Sequence, residues 1–271
     1  MAQPEKKRYI EDEKKRQQRM KRIVFGGQIG LGILVIVLWE VLTRFEVMDP
    51  YYWSSPSTIY ETAKVAFLEG TLWDDLVYTS LATLAGFAAG TLFGSLIGLS
   101  FWWSAYYSRI SEPYLIAFNA IPKLALGPVI VILFGIGFFS KVMLAFLMTV
   151  IVTALAAHSG IKAIDKDLEK LLYSLGAKRR HVFTKVVVPT TMPWIVSSLR
   201  INIALALAGT IVGEFISSRQ GIGRMILYAG QILDIDLVWV GVVVLSLLSM
   251  LMYVGTVSLE KLLLRGQEPK Q

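Results

Sequence analysis

Long apolar runs separated by shorter polar stretches dominate the chain. The runs cover residues 23–43, 77–103, 113–136, 139–158, 193–217 and 237–259. An α-helix rises 1.5 Å per residue, so about 20 apolar residues cross a hydrocarbon core of about 30 Å. The pattern therefore predicts an all-α, polytopic membrane protein with about six transmembrane helices.

The polar ends of the chain predict a division into three regions. A charged tail over residues 1–22 precedes a transmembrane domain over residues 23–260, and a second tail covers residues 261–271. Nine basic and four acidic residues share the first tail, which fits a solvated tail or short helix and also fits binding to anionic lipid headgroups. No small-residue cleavage site follows the first apolar run, so we expect a retained membrane helix and not a signal peptide.

The composition supports the membrane assignment and excludes several chemistries. Hydrophobic residues make up 55% of the chain, and the mean hydropathy of +0.58 exceeds that of average soluble domains. There is no cysteine, and His158 and His181 are the only histidines, so we expect no metal site. The chain lacks the G-x-x-x-x-G-K-[ST] motif, so we expect no nucleotide or other bound cofactor. No catalytic constellation is visible, which argues against an enzyme.

Four glycines repeat at every fourth residue of the second run: Gly86, Gly90, Gly94 and Gly98. This spacing places them on one face of a helix. Small residues let helix backbones approach closely in lipid, where no hydrophobic force drives helices together. The stripe therefore predicts a helix-packing surface rather than a ligand site.

The third run contains Pro113, Pro122 and Pro128. Proline inside a spanning helix frees backbone carbonyl groups, which are tolerated where neighbouring protein or a water-filled cavity satisfies them. Asn119, Pro122 and Lys123 are therefore candidates to line a translocation path. A purely structural kink is the alternative.

The fifth run carries three polar candidates for the same path, Arg200, Asn202 and Glu214. A charge at the bilayer centre costs about 2.5 to 3.5 kcal/mol on insertion scales, so we expect Arg200 to face protein or water. Glu214 and Glu40 are expected near the outer interface. For these two, snorkelling or a helix–helix pair competes with a role in gating.

Residues 161–193 form the only long interior segment too polar for a bilayer. Asp165 or Asp167 can cap a helix, and Gly176 can take the left-handed turn that ends it. The apolar residues of this helix recur at helical spacing: Leu168, Leu171, Leu172 and Leu175. The segment therefore predicts a short amphipathic helix.

A second short helix is predicted in the same segment, ended by Pro189 and Pro193. Its apolar residues again share one face: Val182, Phe183, Val186 and Val187. The turn between the helices is basic. An ordinary basic loop is one interpretation, and a docking element for another protein is the other.

The placement of lysine and arginine predicts the orientation, because cytoplasmic segments carry an excess of both. With six helices and a cytoplasmic N-terminus, twenty of the 27 basic residues lie inside, nine of them in the tail and seven in the 161–193 segment. The opposite orientation would invert this bias. The segment is therefore expected in the cytoplasm. The overall charge of +7 follows from this topology and gives no reason to expect nucleic acid as a partner.

The run LGAKRRHVFTKVVVP in this segment resembles the cytoplasmic "EAA" loop of ABC importer permeases. Gly176 and Pro189 match the glycine and proline of that pattern. The family's EAA triplet falls on Lys170, Leu171 and Leu172, so lysine replaces its glutamate, with Glu169 adjacent. Residues 121–141 and 213–244 are similar to the sulfonate, nitrate and taurine branch of the same family.

The resemblance implies a type I ABC importer permease fold with a cytoplasmic coupling-helix loop. It implies ATPase docking by the following residues: Glu169, Lys170, Leu175, Gly176, Ala177, Lys178, Arg179, Val182, Phe183 and Pro189. It also implies two ATPase subunits that bind ATP and Mg²⁺, an extracytoplasmic binding protein and a second copy of this permease. The location would be the bacterial cytoplasmic membrane, in contact with its lipid.

The nutrient implied by the resemblance is small and often anionic, such as an alkanesulfonate, taurine, nitrate or bicarbonate. Thiamine-precursor pyrimidines and riboflavin are alternatives carried by related permeases. An ion-coupled secondary transporter is a different class, which more often shows internal repeats and paired membrane-embedded acids. The chain shows no clear repeat, and an intramembrane enzyme would need a nucleophile and base that are not visible.

Overall fold

The structure is a computed structural model that describes residues 3–265. Its α-helices are α1 (Gln3–Arg44), α2 (Pro50–Trp53), α3 (Pro56–Leu68), α4 (Thr71–Ser100), α5 (Ala105–Ala120), α6 (Gly127–Phe134), α7 (Phe138–Lys162), α8 (Lys166–Ser174), α9 (Arg179–Val182), α10 (Val188–Ile216), α11 (Ile222–Gln231) and α12 (Ile235–Leu263). Single 3-10 turns cover Phe101–Trp103 and Lys123–Leu126, and a π-helical turn covers Phe183–Val187. The described residues contain no strand, which confirms the all-α prediction.

Five helical stretches are long and apolar enough to cross a membrane, and a bent pair raises the number to six. The straight spans are Arg16–Arg44, Thr71–Trp103, Phe138–Lys162, Arg179–Ile216 and Ile235–Leu263. The third predicted run is instead broken, because Ala105–Ala120 and Lys123–Phe134 meet at 80°. Pro122 lies at the break, where its ring and missing N–H interrupt the helix, and Ile121 before it is extended.

The chain divides into two units, one up to residue 62 and the other from residue 63. In the first unit, α1 is one continuous helix of 42 residues, so the predicted boundary at residue 22 is not a break in the helix. The carboxylate of Glu40 accepts hydrogen bonds from the backbone N–H and the hydroxyl of Ser57, at 3.0 and 2.9 Å. A carboxylate at the N-terminus of α3 is favoured by the helix dipole.

Parts of the two predicted tails lie outside the residues that the structure describes. The side chains of residues 1–12, 14, 15 and 21 do so, and with them most of the groups on which the lipid-headgroup interpretation rests. The predicted tail over residues 261–271 begins in the last turn of α12, and residues 266–271 are outside the described range.

The second unit is built on α4, α7 and α10. The glycine stripe of α4 faces α7 so closely that a Cβ on Gly98 would lie 2.7 Å from the carbonyl oxygen of Ala154. A Cβ on Gly86 would approach the carbonyl oxygen of Val142 to the same distance. Only glycine allows this approach, so the predicted packing role of the stripe is confirmed.

The 161–193 segment folds as predicted in its first half. Asp165 caps α8 by accepting a hydrogen bond from the backbone N–H of Asp167 at 2.8 Å, and Gly176 takes a left-handed conformation with φ of +81°. The second half differs from the prediction. The expectation that Pro189 and Pro193 stop a short helix is wrong, because α9 continues through the π-helical turn into α10.

The two prolines are tolerated for identifiable reasons. Pro189 directly follows the π-helical turn and cannot donate to the carbonyl of residue 185, but Lys185 is exposed, so water can satisfy that carbonyl. Pro193 cannot donate to the carbonyl of residue 189, but Pro189 is exposed, so water can satisfy that carbonyl. The loop is therefore joined to a long membrane helix without a break.

Candidate functional site

An exposed apolar surface lies on α8, outside the membrane spans. Leu171 and Leu175 expose 55% and 74% of their surface, and Leu168 and Tyr173 are also exposed. Leu172 alone among the leucines of this helix turns inward. Exposed apolar patches of this kind mark interaction sites on proteins. We call this surface the leucine face, defined as Leu168, Leu171 and Leu175.

A small core supports the leucine face from beneath. Ile164, Val182, Val186 and Val187 are buried together, and Leu172, Ala177 and Phe183 pack against them. Three residues of the predicted docking set belong to this core. Ala177, Val182 and Phe183 are buried or half-buried and pack within the loop, and their role in ATPase docking stays a prediction.

The remaining residues of the predicted docking set are exposed or engaged within the chain. Lys170 forms an exposed ion pair with Asp167 at 2.9 Å, and Gly176, Lys178 and Pro189 are also exposed. An added Cβ on Gly176 would meet no atom within 4 Å, so its positive φ is the reason for glycine there.

Glu169 and Arg179, both in the predicted docking set, bind the 3-10 turn that follows α4. Trp102 Nε1 donates a hydrogen bond of 2.6 Å to Glu169 Oε1. The guanidinium of Arg179 lies 5.2 Å from the ring centroids of both Trp102 and Trp103, and it donates to the carbonyl oxygen of Trp103. The sequence analysis did not identify these tryptophans, because their pairing with residues about 70 positions away leaves no local signal.

The predicted path residues fall into separate places. Asn119, Pro122 and Lys123 lie together at the break between α5 and the next 3-10 turn, where Lys123 Nζ donates to the backbone and side-chain oxygens of Asn119 at 3.2 and 3.1 Å. Asn119 and Pro122 are exposed. Broken helices in membranes occur where they line a cavity or contact protein, so this break remains the best candidate for a path.

Arg200 and Asn202 make contacts between helices. Arg200 on α10 is ion-paired with Glu260 on α12, as expected for a charge that must face protein or water. Asn202 is fully buried and donates to Thr153 Oγ1 on α7 at 2.7 Å. The side chain of Asn202 lies inside the contact between α7 and α10, and its assignment to the path stays a prediction.

Glu214 is likewise buried, with 1% of its surface exposed. Its two oxygens accept hydrogen bonds from Thr79 Oγ1 at 2.8 Å and from the backbone N–H of Gly223 at 2.7 Å. Asp75 accepts from the N–H of Gly221 at 2.6 Å. The start of α11 is thus held by two carboxylates. These contacts favour the helix-pair alternative for Glu214, and its assignment to the path stays a prediction.

Lys141 is fully buried at the start of α7. Its ammonium group donates to Ser140 Oγ at 3.3 Å and to the carbonyl oxygen of Ser217. Together with Asp75, Thr79 and Glu214 it forms the cluster at the end of the bundle opposite the loop. No three carboxylate or imidazole groups within residues 3–265 are arranged to hold a metal ion.

Comparison with known proteins identifies the family. The model for binding-protein-dependent transport system inner membrane components matches residues 90–265. The chain is 31% identical to the formylaminopyrimidine transport permease protein ThiX of Halalkalibacterium halodurans, over 86% of this chain and 92% of that protein. It is 29% identical to the taurine transport system permease protein TauC of Escherichia coli, over 85% and 86% respectively.

Among solved structures, the fold is similar to inward-facing MetNI, a methionine ABC transporter. The TM-score is 0.57 at 18% identity, over 72% of this chain and 94% of that chain. This similarity confirms the type I ABC importer permease fold that the resemblance implied. The chain therefore belongs to the family of binding-protein-dependent transport system inner membrane components and is a multi-pass ABC permease of the inner membrane.

Proposed function

We propose that this chain is the membrane subunit of an importer that takes a small, anionic nutrient from an extracytoplasmic binding protein into the cytoplasm. The nutrient class is an alkanesulfonate, taurine, nitrate or bicarbonate. The observation that carries the proposal is the exposed leucine face of α8, which is supported by a buried core and joined to α10. A membrane crossing alone does not require such a surface.

The leucine face is suited to the groove of an ATPase subunit. Burying exposed leucines gives a favourable free energy of association, and the cap of α8 and the turn at Gly176 keep the helix in one conformation. ATP and Mg²⁺ would bind to that partner and not to this chain. Movement of the ATPase would then displace the loop, and α10 with it, between two states of the membrane domain.

Two copies of the permease would form the path. One chain provides a single docking loop and up to six spans, so a homodimer provides two loops for two ATPases. With the loop in the cytoplasm, the N-terminus is cytoplasmic too. The break at Asn119 and Pro122 would face the path between the copies.

Lys123 supports the proposal that the transported nutrient is an anion. Lys123 lies at the break and forms no salt bridge with any carboxylate whose side chain the structure describes; its ammonium group donates hydrogen bonds to the oxygens of Asn119 in the same turn. A cation without a carboxylate partner can attract an anion during passage. The similarity to a taurine permease is in accord with this class.

A second candidate nutrient is a thiamine-precursor pyrimidine. The observation that favours it is the 31% identity to a formylaminopyrimidine permease. A riboflavin-like solute is a further member of this alternative. The family assignment selects an ABC importer over an ion-coupled secondary transporter.

The proposal is tested by co-expressing this chain with the ATPase encoded nearest to it and measuring ATP hydrolysis by the purified complex in nanodiscs. The neighbouring binding protein is added with taurine, alkanesulfonates, nitrate, bicarbonate or pyrimidines. Stable co-purification and stimulation by one sulfonate or inorganic anion would support the proposal. Stimulation by a pyrimidine alone would support the second candidate, and failure to co-purify would contradict both.

A further inference from the structure

Glu169 faces into the protein although it lies in the predicted docking helix. Its carboxylate accepts the indole N–H of Trp102 at 2.6 Å, and Trp102 is half-buried in the turn that follows α4. Hydrogen bonds to a charged acceptor are among the stronger ones in proteins. The bond therefore ties α8 to the end of α4, across 67 positions of the sequence.

Arg179 and Phe183 extend this contact to the rest of the loop. The guanidinium of Arg179 stacks on both indoles, and the ring of Phe183 lies 5.6 Å from Trp102 and 5.3 Å from Trp103, measured between ring centroids. Stacked cations and aromatic pairs of this geometry are attractive. We call the group of Trp102, Trp103, Glu169, Arg179 and Phe183 the aromatic bracket.

The aromatic bracket is attached to a rigid pair of helices. The last glycine of the α4 stripe, Gly98, precedes Trp102 by one turn and is in close contact with α7. A Cβ on Gly94 would likewise lie 2.7 Å from the Cβ of Thr153 on α7. Close-packed surfaces of this kind transmit a displacement because they cannot slide without steric overlap. A shift at Trp102 therefore moves α4 and α7 together.

The backbone joins the loop to the bundle at both ends, to α7 through residues 163–165 and to α10 through α9. The second connection passes through the π-helical turn Phe183–Val187, a local irregularity often found at functional positions. Without the bracket, a displaced loop would pull on α7 and α10 through the backbone and would reach α4 only through apolar packing. The bracket gives the loop a polar attachment to α4, the core helix to which its backbone is not directly joined.

We propose that the aromatic bracket transmits the displacement of the docking loop to α4, with Trp102 and Glu169 as its positioning residues. The inference rests on the proposed function, in which an ATPase binds this loop. It assigns the acidic residue next to the substituted EAA position an internal role. Glu169 holds the loop to the membrane domain, whereas Lys170 faces outward.

The test measures whether the loop and α4 move as one body. The chain has no cysteine, so spin labels can be attached at Ser174→Cys on α8 and Leu96→Cys on α4, both exposed positions. Labelled chains are diluted with unlabelled ones and assembled with the ATPase in nanodiscs. The distance between the labels is measured by pulsed electron paramagnetic resonance, without nucleotide and with ATP and vanadate.

If the bracket acts as proposed, the distance between the two labels in the wild-type complex has one narrow distribution, which is the same in both nucleotide states. Trp102→Phe keeps the ring but removes the donor, and Glu169→Leu removes the acceptor. In the ATP state, some molecules of each variant should show a changed distance between the labels. The ratio of these molecules to those with the wild-type distance should rise by about tenfold, as expected for the loss of one hydrogen bond to a charged group. The double variant should be no worse than either single variant, because both remove the same bond.

Two controls separate this effect from a general loss of structure. Glu169→Gln retains a carbonyl acceptor for the indole N–H, so its label-to-label distance should stay the same as in the wild type. Trp73→Phe makes the same change at an exposed tryptophan near the other end of α4 and should have no effect. A melting temperature equal to that of the wild type in Glu169→Leu would show that the variant is folded.

The outcomes distinguish this inference from the function on which it rests. A wild-type chain that does not bind the ATPase would overturn the proposed function and the bracket with it. A wild-type complex whose Trp102→Phe and Glu169→Leu variants keep the same single distance in both states would overturn the bracket alone. A wild-type distance that itself changes between the states would also overturn it, because the loop and α4 would then move separately.

Discussion

Glu214 holds three elements together with its two carboxylate oxygens. It joins α10 to Thr79 on α4 and to the backbone N–H of Gly223 in the first turn of α11, and it is almost fully buried. A buried acceptor of this kind stabilises the fold mainly because its removal leaves donors unsatisfied. At the residue scale, the cluster of Asp75, Thr79, Lys141 and Glu214 therefore stabilises the fold by joining neighbouring helices.

Glu214→Ala should lower the free energy of unfolding by about 2 to 4 kcal/mol, because it leaves the hydroxyl of Thr79 and the N–H of Gly223 without this acceptor. Glu214→Gln keeps one acceptor and should lose less. The measurement is denaturant unfolding in detergent. Glu61→Ala, at an exposed position of α3, is the control, and an equal effect of Glu214→Ala and Glu61→Ala would contradict the assignment.

Gly176→Val should weaken binding of the ATPase, because a β-branched residue at a φ of +81° is strained by about 1 to 3 kcal/mol. Gly176→Asn should bind almost normally, since asparagine tolerates the left-handed region. Co-purification with the ATPase measures both. Added side chains meet nothing in the chain itself, so equal binding by the two variants would show that the turn does not set the docking geometry.

Local chemistry explains which residues could be predicted. The cap at Asp165 and the turn at Gly176 depend on neighbours in the sequence, and both were predicted. Trp102 and Lys141 could not be predicted, because their partners Glu169 and Ser217 lie 67 and 76 positions away. Hydrophobicity located the spans, but it does not encode which distant polar groups meet inside the bundle.

At the element scale, the structure differs most from the prediction in where its helices are broken and where they continue. Pro122 interrupts a run that was predicted as one span, whereas Pro189 and Pro193 leave the helical stretch Arg179–Ile216 unbroken. The difference lies in position within the helix. Pro189 and Pro193 deprive the exposed carbonyls of residues 185 and 189 of a donor that water can replace, while Ile121 before Pro122 is extended and ends α5. Residue type alone does not distinguish the two cases.

The double variant Leu171→Asp and Leu175→Asp should abolish co-purification with the ATPase while leaving membrane insertion and the melting temperature unchanged. Both side chains are exposed, so the charges meet water in the free permease and would be buried only in the complex. The control is Leu68→Asp at the end of α3, which has the same 74% exposure as Leu175. Normal binding by the double variant would show that the leucine face is not the docking surface.

The second unit of the fold combines a rigid core with a loop attached to it at three places. The glycine stripe fixes α4 to α7, the backbone joins the loop to α7 and to α10, and the aromatic bracket joins the loop to α4. The number of spans and the helix that precedes Gly176 follow from the sequence. The attachment of the loop to α4 emerges only in the folded chain, because it depends on contacts between distant residues.

The most direct test of the central claim is uptake by proteoliposomes that contain this permease and its ATPase, with the binding protein on the side opposite the loop. The account predicts uptake of a radiolabelled sulfonate or inorganic anion that requires both ATP and the binding protein, and that is lost in the Leu171→Asp and Leu175→Asp double variant. Uptake by the permease alone, driven by an ion gradient and insensitive to ATP, would contradict it.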